Sequence, residues 1–178
     1  MKSSRPATPR VSFLAARRAI PLQDEAYFFY LLDRIWRACS SIWCTVFIVD
    51  VQPSQGGRPA AEIVAALAHA NWLGLDVRVI VGRSAETPEI DLADRVSLAY
   101  LRDLGVPARC ARPARRSSLH SKYVVVDRRE VIVGSHNWAD FDLFGSRQTS
   151  LALHSPHLAQ RLSRRFEELW ASSEEPAP

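Results

Sequence analysis

Lysine is almost absent from this 178-residue chain: it occurs at Lys2 and Lys122, and every other strong cation is an arginine. One ammonium group therefore stands alone outside the amino-terminal segment. Long apolar runs are missing as well. No stretch reaches the roughly 20 uninterrupted apolar residues that a spanning helix requires, so the sequence reads as a globular chain of cytoplasmic type without a transmembrane segment. Cysteine is scarce, at Cys39, Cys44 and Cys110, with no CxxC pair. An odd count in that arrangement argues against a complete disulfide framework or a zinc knuckle, and leaves buried free thiols in a reducing compartment. Acidic residues are missing before Asp24, whereas Lys2, Arg5, Arg10, Arg17 and Arg18 precede it. Residues 1–20 thus read as a basic, loosely attached tail; an organelle transit sequence is the alternative that such a composition permits.

What is present has the length of one domain, expected over 21–173, with 174–178 as a frayed end. Residues 24–38 place Phe28, Leu31, Leu32 and Ile35 on one helical face, with Asp24 and Glu25 at the end where the macrodipole favours them. The run 41–51, SIWCTVFIVDV, is apolar and β-branched enough for a strand buried on both faces. A helix near 60–73 ends at Gly74, a strand follows at 76–82, and a helix near 91–104 ends at Gly105. Residues 106–110 form a short strand. SKYVVVD and EVIVG then read as a hairpin closed by Asp127, Arg128 and Arg129, QTSLALHS at 148–155 alternates like a strand, and Ser155-Pro156 caps a last helix with Leu158, Leu162, Phe166 and Leu169 inward. The expected fold is α/β: one mixed sheet sandwiched between helices.

The solitary Lys122 lies two residues after His120, so on a strand the two side chains project from the same face. A neutral imidazole beside a fixed ammonium suits an anionic electrophile, the cation holding phosphate oxygens while the ring attacks phosphorus or moves a proton. Asp127 falls five residues after the lysine, on the other face by parity. Gly134, Ser135, His136 and Asn137 follow the next strand, where a turn brings a hydroxyl and an amide back toward His120 and Lys122.

This set resembles the phospholipase D superfamily, whose signature is HxKxxxxD followed by GSxN. The resemblance is carried by His120, Lys122, Asp127, Gly134, Ser135 and Asn137. It implies phosphodiester cleavage without a metal or other cofactor, through a covalent phosphohistidine, with a second histidine protonating the leaving oxygen and then activating water. It also implies that the aspartate supports the site from outside. Only one motif is present, since His69, His136, His154 and His157 have no lysine two positions on. Short members of the family solve this by pairing two copies across a twofold axis, and a homodimer is expected here; the chain is most similar to the short bacterial endonuclease branch. Where the family often has a glutamate that orients the catalytic histidine, the count from Asn137 reaches Gln148, with Asp140 or Asp142 as substitutes. A glutamine accepts an imidazole N–H but cannot neutralise an imidazolium.

Arg109, Arg112, Arg115 and Arg116 precede the motif closely and read as contacts for a phosphate backbone. Trp138, Phe141, Leu143 and Phe144 read either as core or as a surface for bases or lipid; Trp138 is the candidate substrate contact. Trp36, Trp43, Trp72 and Trp170 read as core. Nucleic acid is the expected substrate, with phospholipid as the alternative and a catalytically weak nucleic-acid-binding dimer as a third reading.

Overall fold

The computed structural model describes residues 14–51, 59–82, 88–111 and 119–174. Strands and helices alternate in the order β1 (Arg18–Gln23), α1 (Ala26–Trp36), β2 (Ser41–Val46), α2 (Pro59–Trp72), β3 (Asp76–Val81), α3 (Pro88–Asp103) and β4 (Ala108–Cys110). They continue with β5 (Tyr123–Val126), β6 (Glu130–Gly134), β7 (Thr149–His154) and α4 (Pro156–Ser172), with one π-helical turn at Phe141–Gly145 before β7. The expected α/β architecture is what forms. A mixed sheet runs β1-β7-β6-β5-β2-β3-β4. The βαβ units make β2, β3 and β4 parallel, and the hairpin and its neighbours make the other half antiparallel.

Period-two alternation divides each central strand between two cores. Ile42, Cys44 and Val46 of β2, with Val124 and Val126 of β5, face α1 and α2 through Leu31, Ile35, Ile63 and Leu67. Trp43 of β2 and Val125 of β5 face the other way, onto Ala159 and Phe166 of α4. The Phe166 ring stacks on Trp43 at 5.2 Å, and burying a side chain of that kind contributes about 2–3 kcal/mol. The sheet is thus covered on both sides.

Four expectations need correction. Arg18, Ala19 and Ile20, read as the end of the tail, belong to β1, which pairs in register with β7 from Arg18↔His154 to Gln23↔Thr149. An edge strand needs hydrogen bonds on one side only, so Pro21 and a mostly exposed side-chain pattern are compatible with it; of the rest of the proposed tail, 1–13 lie outside the described residues. Trp36 and Trp72 are 60% and 79% exposed, because each ends its helix beyond the reach of the core, while Trp43 is buried as expected. Leu32 is half-buried at the margin of the α1 stripe. Cys44 is buried, but Cys39 is on the surface.

Candidate active site

Beyond β2 and β3 the chain of Leu119 and His120 passes close above the ends of both strands. A Cβ on Gly82 would lie 2.6 Å from the Phe47 ring and 2.7 Å from the Leu119 carbonyl oxygen, so this approach requires glycine. Phe47, just after β2, becomes a shelf. The His120 ring rests on it with centroids 4.5 Å apart, and the Lys122 ammonium sits 5.1 Å from the same centroid. Lys122 Nζ lies 3.3 Å and 3.4 Å from the two ring nitrogens of His120 and donates to its carbonyl oxygen at 3.0 Å. The same-face geometry expected from spacing is therefore present, although both residues precede the regular part of β5.

The electrostatics favour a neutral ring beside a cation. Partial burial, and then the Lys122 charge, hold the His120 imidazole below its ordinary 6.5. Burial also lowers Lys122, against the opposing pull of Asp142. A ring that stays unprotonated keeps the nitrogen lone pair that nucleophilic attack requires.

The GSHN segment closes the other side. Gly134 N–H donates to the Lys122 carbonyl oxygen at 3.3 Å, continuing the β5–β6 register from Tyr123↔Val133. A Cβ at Gly134 would collide with Ser150 on β7, which keeps this strand end free of a side chain. The Ser135 hydroxyl donates to the Thr149 carbonyl at 3.2 Å and accepts its N–H at 3.1 Å. Asn137 Oδ1 accepts the Ile48 N–H at 3.3 Å, and its Nδ2 donates to Asp142 Oδ2 at 3.0 Å. Gln148 Nε2 donates to Asp142 Oδ1 at 2.8 Å and to Ser146 Oγ at 3.1 Å. Two amides thus fix one carboxylate, and Gln148 is turned onto Asp142 rather than onto His120 as expected.

His136 is buried and stacked on Tyr27 at 4.2 Å. Its Nε2 meets the Asp24 carbonyl oxygen at 3.1 Å and must donate, so Nδ1 of the neutral ring accepts from Ser150 Oγ at 2.7 Å. Burial lowers its pKa against the Asp24 hydrogen bond. This histidine braces the GSHN turn against the β1–α1 junction.

Other expected site residues are elsewhere. Asp127 sits in the turn at the opposite end of β5, about 16 Å along a strand from Lys122, and accepts from the Cys39, Ser40 and Ser41 N–H groups and from Ser40 Oγ. Arg109 lies on the α4 side, its guanidinium 4.6 Å from the Trp170 ring and donating to the Trp170 carbonyl at 2.9 Å. Trp138 is 1% exposed and donates to the Tyr27 hydroxyl at 3.1 Å; it is core, as is Leu143, whereas Phe141 and Phe144 are exposed. Arg112, Arg115 and Arg116 fall outside the described residues. Phe47 and Gly82 have no signal in the motif, because they reach it only through the parallel pairing of β2 and β3.

The family profile described as "Cardiolipin synthase, PLD-like domain" matches residues 31–170. No curated protein matches the chain in sequence. Among solved structures, the chain is similar to the phospholipase D family member Nuc from Salmonella typhimurium, with a TM-score of 0.70 and 18% identity over 89% of this chain and 98% of that one. NucT from Helicobacter pylori aligns at a TM-score of 0.67 and 13% identity, covering 89% and 99%. A phosphatidylserine synthase from Haemophilus influenzae aligns at 0.64 and 15%, covering 88% of this chain and 39% of that one. At these identities the likeness speaks for the fold.

Proposed function

Because the chain belongs to the phospholipase D-like family, we propose that it is a metal-independent phosphodiesterase, a nuclease that works as a homodimer through a phosphohistidine. The observation that carries this reading is the meeting of a neutral His120 and the Lys122 ammonium on the Phe47 shelf. A ring nitrogen of His120 donates its lone pair to phosphorus as the P–O bond to the leaving group breaks. Lys122 holds the non-bridging oxygens, with the Asn137 amide and the Ser135 hydroxyl beside it. His120 of a second copy enters as the imidazolium and gives its proton to the departing oxygen; now neutral, it takes a proton from water as water attacks phosphorus and the P–N bond breaks, its electron pair returning to the first ring. Asp142, clamped by Asn137 and Gln148, supplies negative charge that opposes the lowering of Lys122 by burial. Asp127 supports the hairpin from a distance, Arg112, Arg115 and Arg116 contact the phosphate backbone, and the catalytic unit runs from β1, at Arg18, to residue 173.

A phospholipid substrate is the second reading. It is favoured by the exposure of Phe141 (71%), Phe144 and Phe29 around the turn that carries Asp142, a rim fit for acyl chains, and by the likeness to a phosphatidylserine synthase. The two separate in one assay: plasmid, single-stranded DNA, RNA and phosphatidylcholine vesicles, each incubated with the protein in EDTA. Nucleic-acid cleavage with intact lipid is the expected result. Loss of cleavage on adding EDTA sinks the metal-free mechanism, and cleavage of lipid alone transfers the reading to the second substrate.

A further inference from the structure

Between α4 and the β5–β6 turn, an open groove of about 500 Å³ is lined by Arg128, His157, Gln160, Ser163, Arg164 and Glu167. A second groove of about 670 Å³ shares His157, Gln160 and Arg164 with it and adds Arg161 and Arg165. The two form one tract along the helix. Arg165 is paired with Glu168 at 3.1 Å, but Arg161 and Arg164 make no ion pair among the described residues. Arg128 is pinned over the Trp43 ring at 4.7 Å, which holds its guanidinium at the mouth of the groove. Glu167 is the opposing carboxylate there, so positive charge dominates the tract.

The floor adds an independent sign of a ligand. Ser163 is only 6% exposed and lines the groove, yet its hydroxyl has no hydrogen-bond partner. The oxygen is itself covered, so an anion in the groove satisfies this unfavourable group only as the side chain turns outward. Planar guanidinium groups and a hydroxyl are donors suited to phosphate oxygens.

We propose that this tract is a second binding surface for the phosphodiester backbone of a nucleic acid, separate from the cleft at His120. His157 to Arg164 covers about 10 Å of helix axis, long enough for its cations to meet more than one phosphate of a backbone. An elongated row fits a polymer better than a single small anion. Among the described residues Leu14 is the one large exposed hydrophobic along the tract, too little apolar surface to enter a membrane. α4 lies across β2, β5 and β6, and Arg128 puts the start of the tract at the end of β5 opposite Lys122, so only a polymer long enough to cross the sheet reaches both surfaces. The inference rests on the nuclease reading.

The test uses the full chain carrying His120→Ala, which prevents cleavage, with and without Arg161→Gln plus Arg164→Gln. Binding to a fluorescein-labelled duplex is followed by anisotropy across a salt series, with anionic phosphatidylglycerol vesicles as a parallel probe. The expected result is at least tenfold weaker duplex binding at about 0.1 M salt, and a salt slope shallower by about 2, near 0.9 per lost cation. Ser163→Ala should weaken duplex binding while leaving the melting temperature unchanged or higher, since it removes an unsatisfied group; a purely structural serine would change stability and leave binding alone. Unchanged affinity and slope in the double variant overturn this proposal only. A His120→Ala protein that binds no duplex, beside a wild type that cleaves none, overturns the nuclease reading with it. Binding confined to vesicles and lost in the double variant assigns the tract to lipid instead.

Discussion

At Lys122 the proposed chemistry turns on the identity of one cation. The ammonium sits within 3.5 Å of both His120 ring nitrogens and above the Phe47 ring, a space suited to a compact charge rather than a broad planar one. Lys122→Arg should therefore keep the charge and lose turnover, by about a hundredfold or more if the lysine is the main donor to the phosphate oxygens. Steady-state kinetics on a chromogenic phosphodiester would show it, and near-native turnover would remove Lys122 from that role. The same cation depresses the His120 pKa, second to burial. The ring consequently stays neutral to lower pH than an ordinary imidazole, and the acid limb of kcat/KM should fall below 6.5. Lys122→Met should move the His120 titration, followed by NMR, only part of the way back up, because burial persists. The pair was legible in the sequence because spacing along an extended chain converts directly into a shared face. Phe47 and Gly82 were not, since only the pairing of distant strands brings them beneath it.

Along β5, four residues separate two different tasks. One end presents Lys122 to the cleft, and the other turns through Asp127 and Arg128, both at positive φ (51° and 53°), the conformation of a tight hairpin. Asp127 offsets that cost by accepting hydrogen bonds from the start of β2. Burial pushes its carboxyl up, and the bonds from Ser41, Cys39 and Ser40 more than reverse this, leaving it below 3.8. Asp127→Ala should destabilise the fold by about 1–2 kcal/mol at pH 7, at the low end for hydrogen bonds to a charged group because the site is partly exposed. A lowered carboxyl contributes fully above 3.8 and loses its contribution as pH falls through the folded value, so the deficit should shrink near pH 3. Chemical denaturation at the two pH values checks this; a deficit that grows in acid contradicts it. The hairpin, the strands β2 and β3 and the helix α4 were all readable from apolar periodicity and turn residues. β1 was not, because a six-residue edge strand with Pro21 and a single buried side chain, Leu22, carries too little pattern, and its pairing with β7 is visible only in three dimensions.

The molecule as a whole offers one reactive pair at one end of its sheet, while the proposed chemistry asks for two histidines on opposite sides of a phosphorus. In the proposed homodimer each copy supplies one, and neither is sufficient. That arrangement has a quantitative signature. If wild-type protein and His120→Ala are co-refolded in equal amounts, random pairing leaves about one quarter of the dimers with two histidines, so activity should follow the square of the wild-type fraction. A self-sufficient chain would instead give a straight line through one half. The titration also separates a missing partner from a missing residue: if His120→Ala and Lys122→Met, each inactive alone, regain activity when mixed, the two copies contribute unequal parts to a shared centre. If they do not, both sets of groups are needed at every turnover. Sedimentation of each variant alone, showing the dimer intact, makes the comparison one of chemistry rather than assembly.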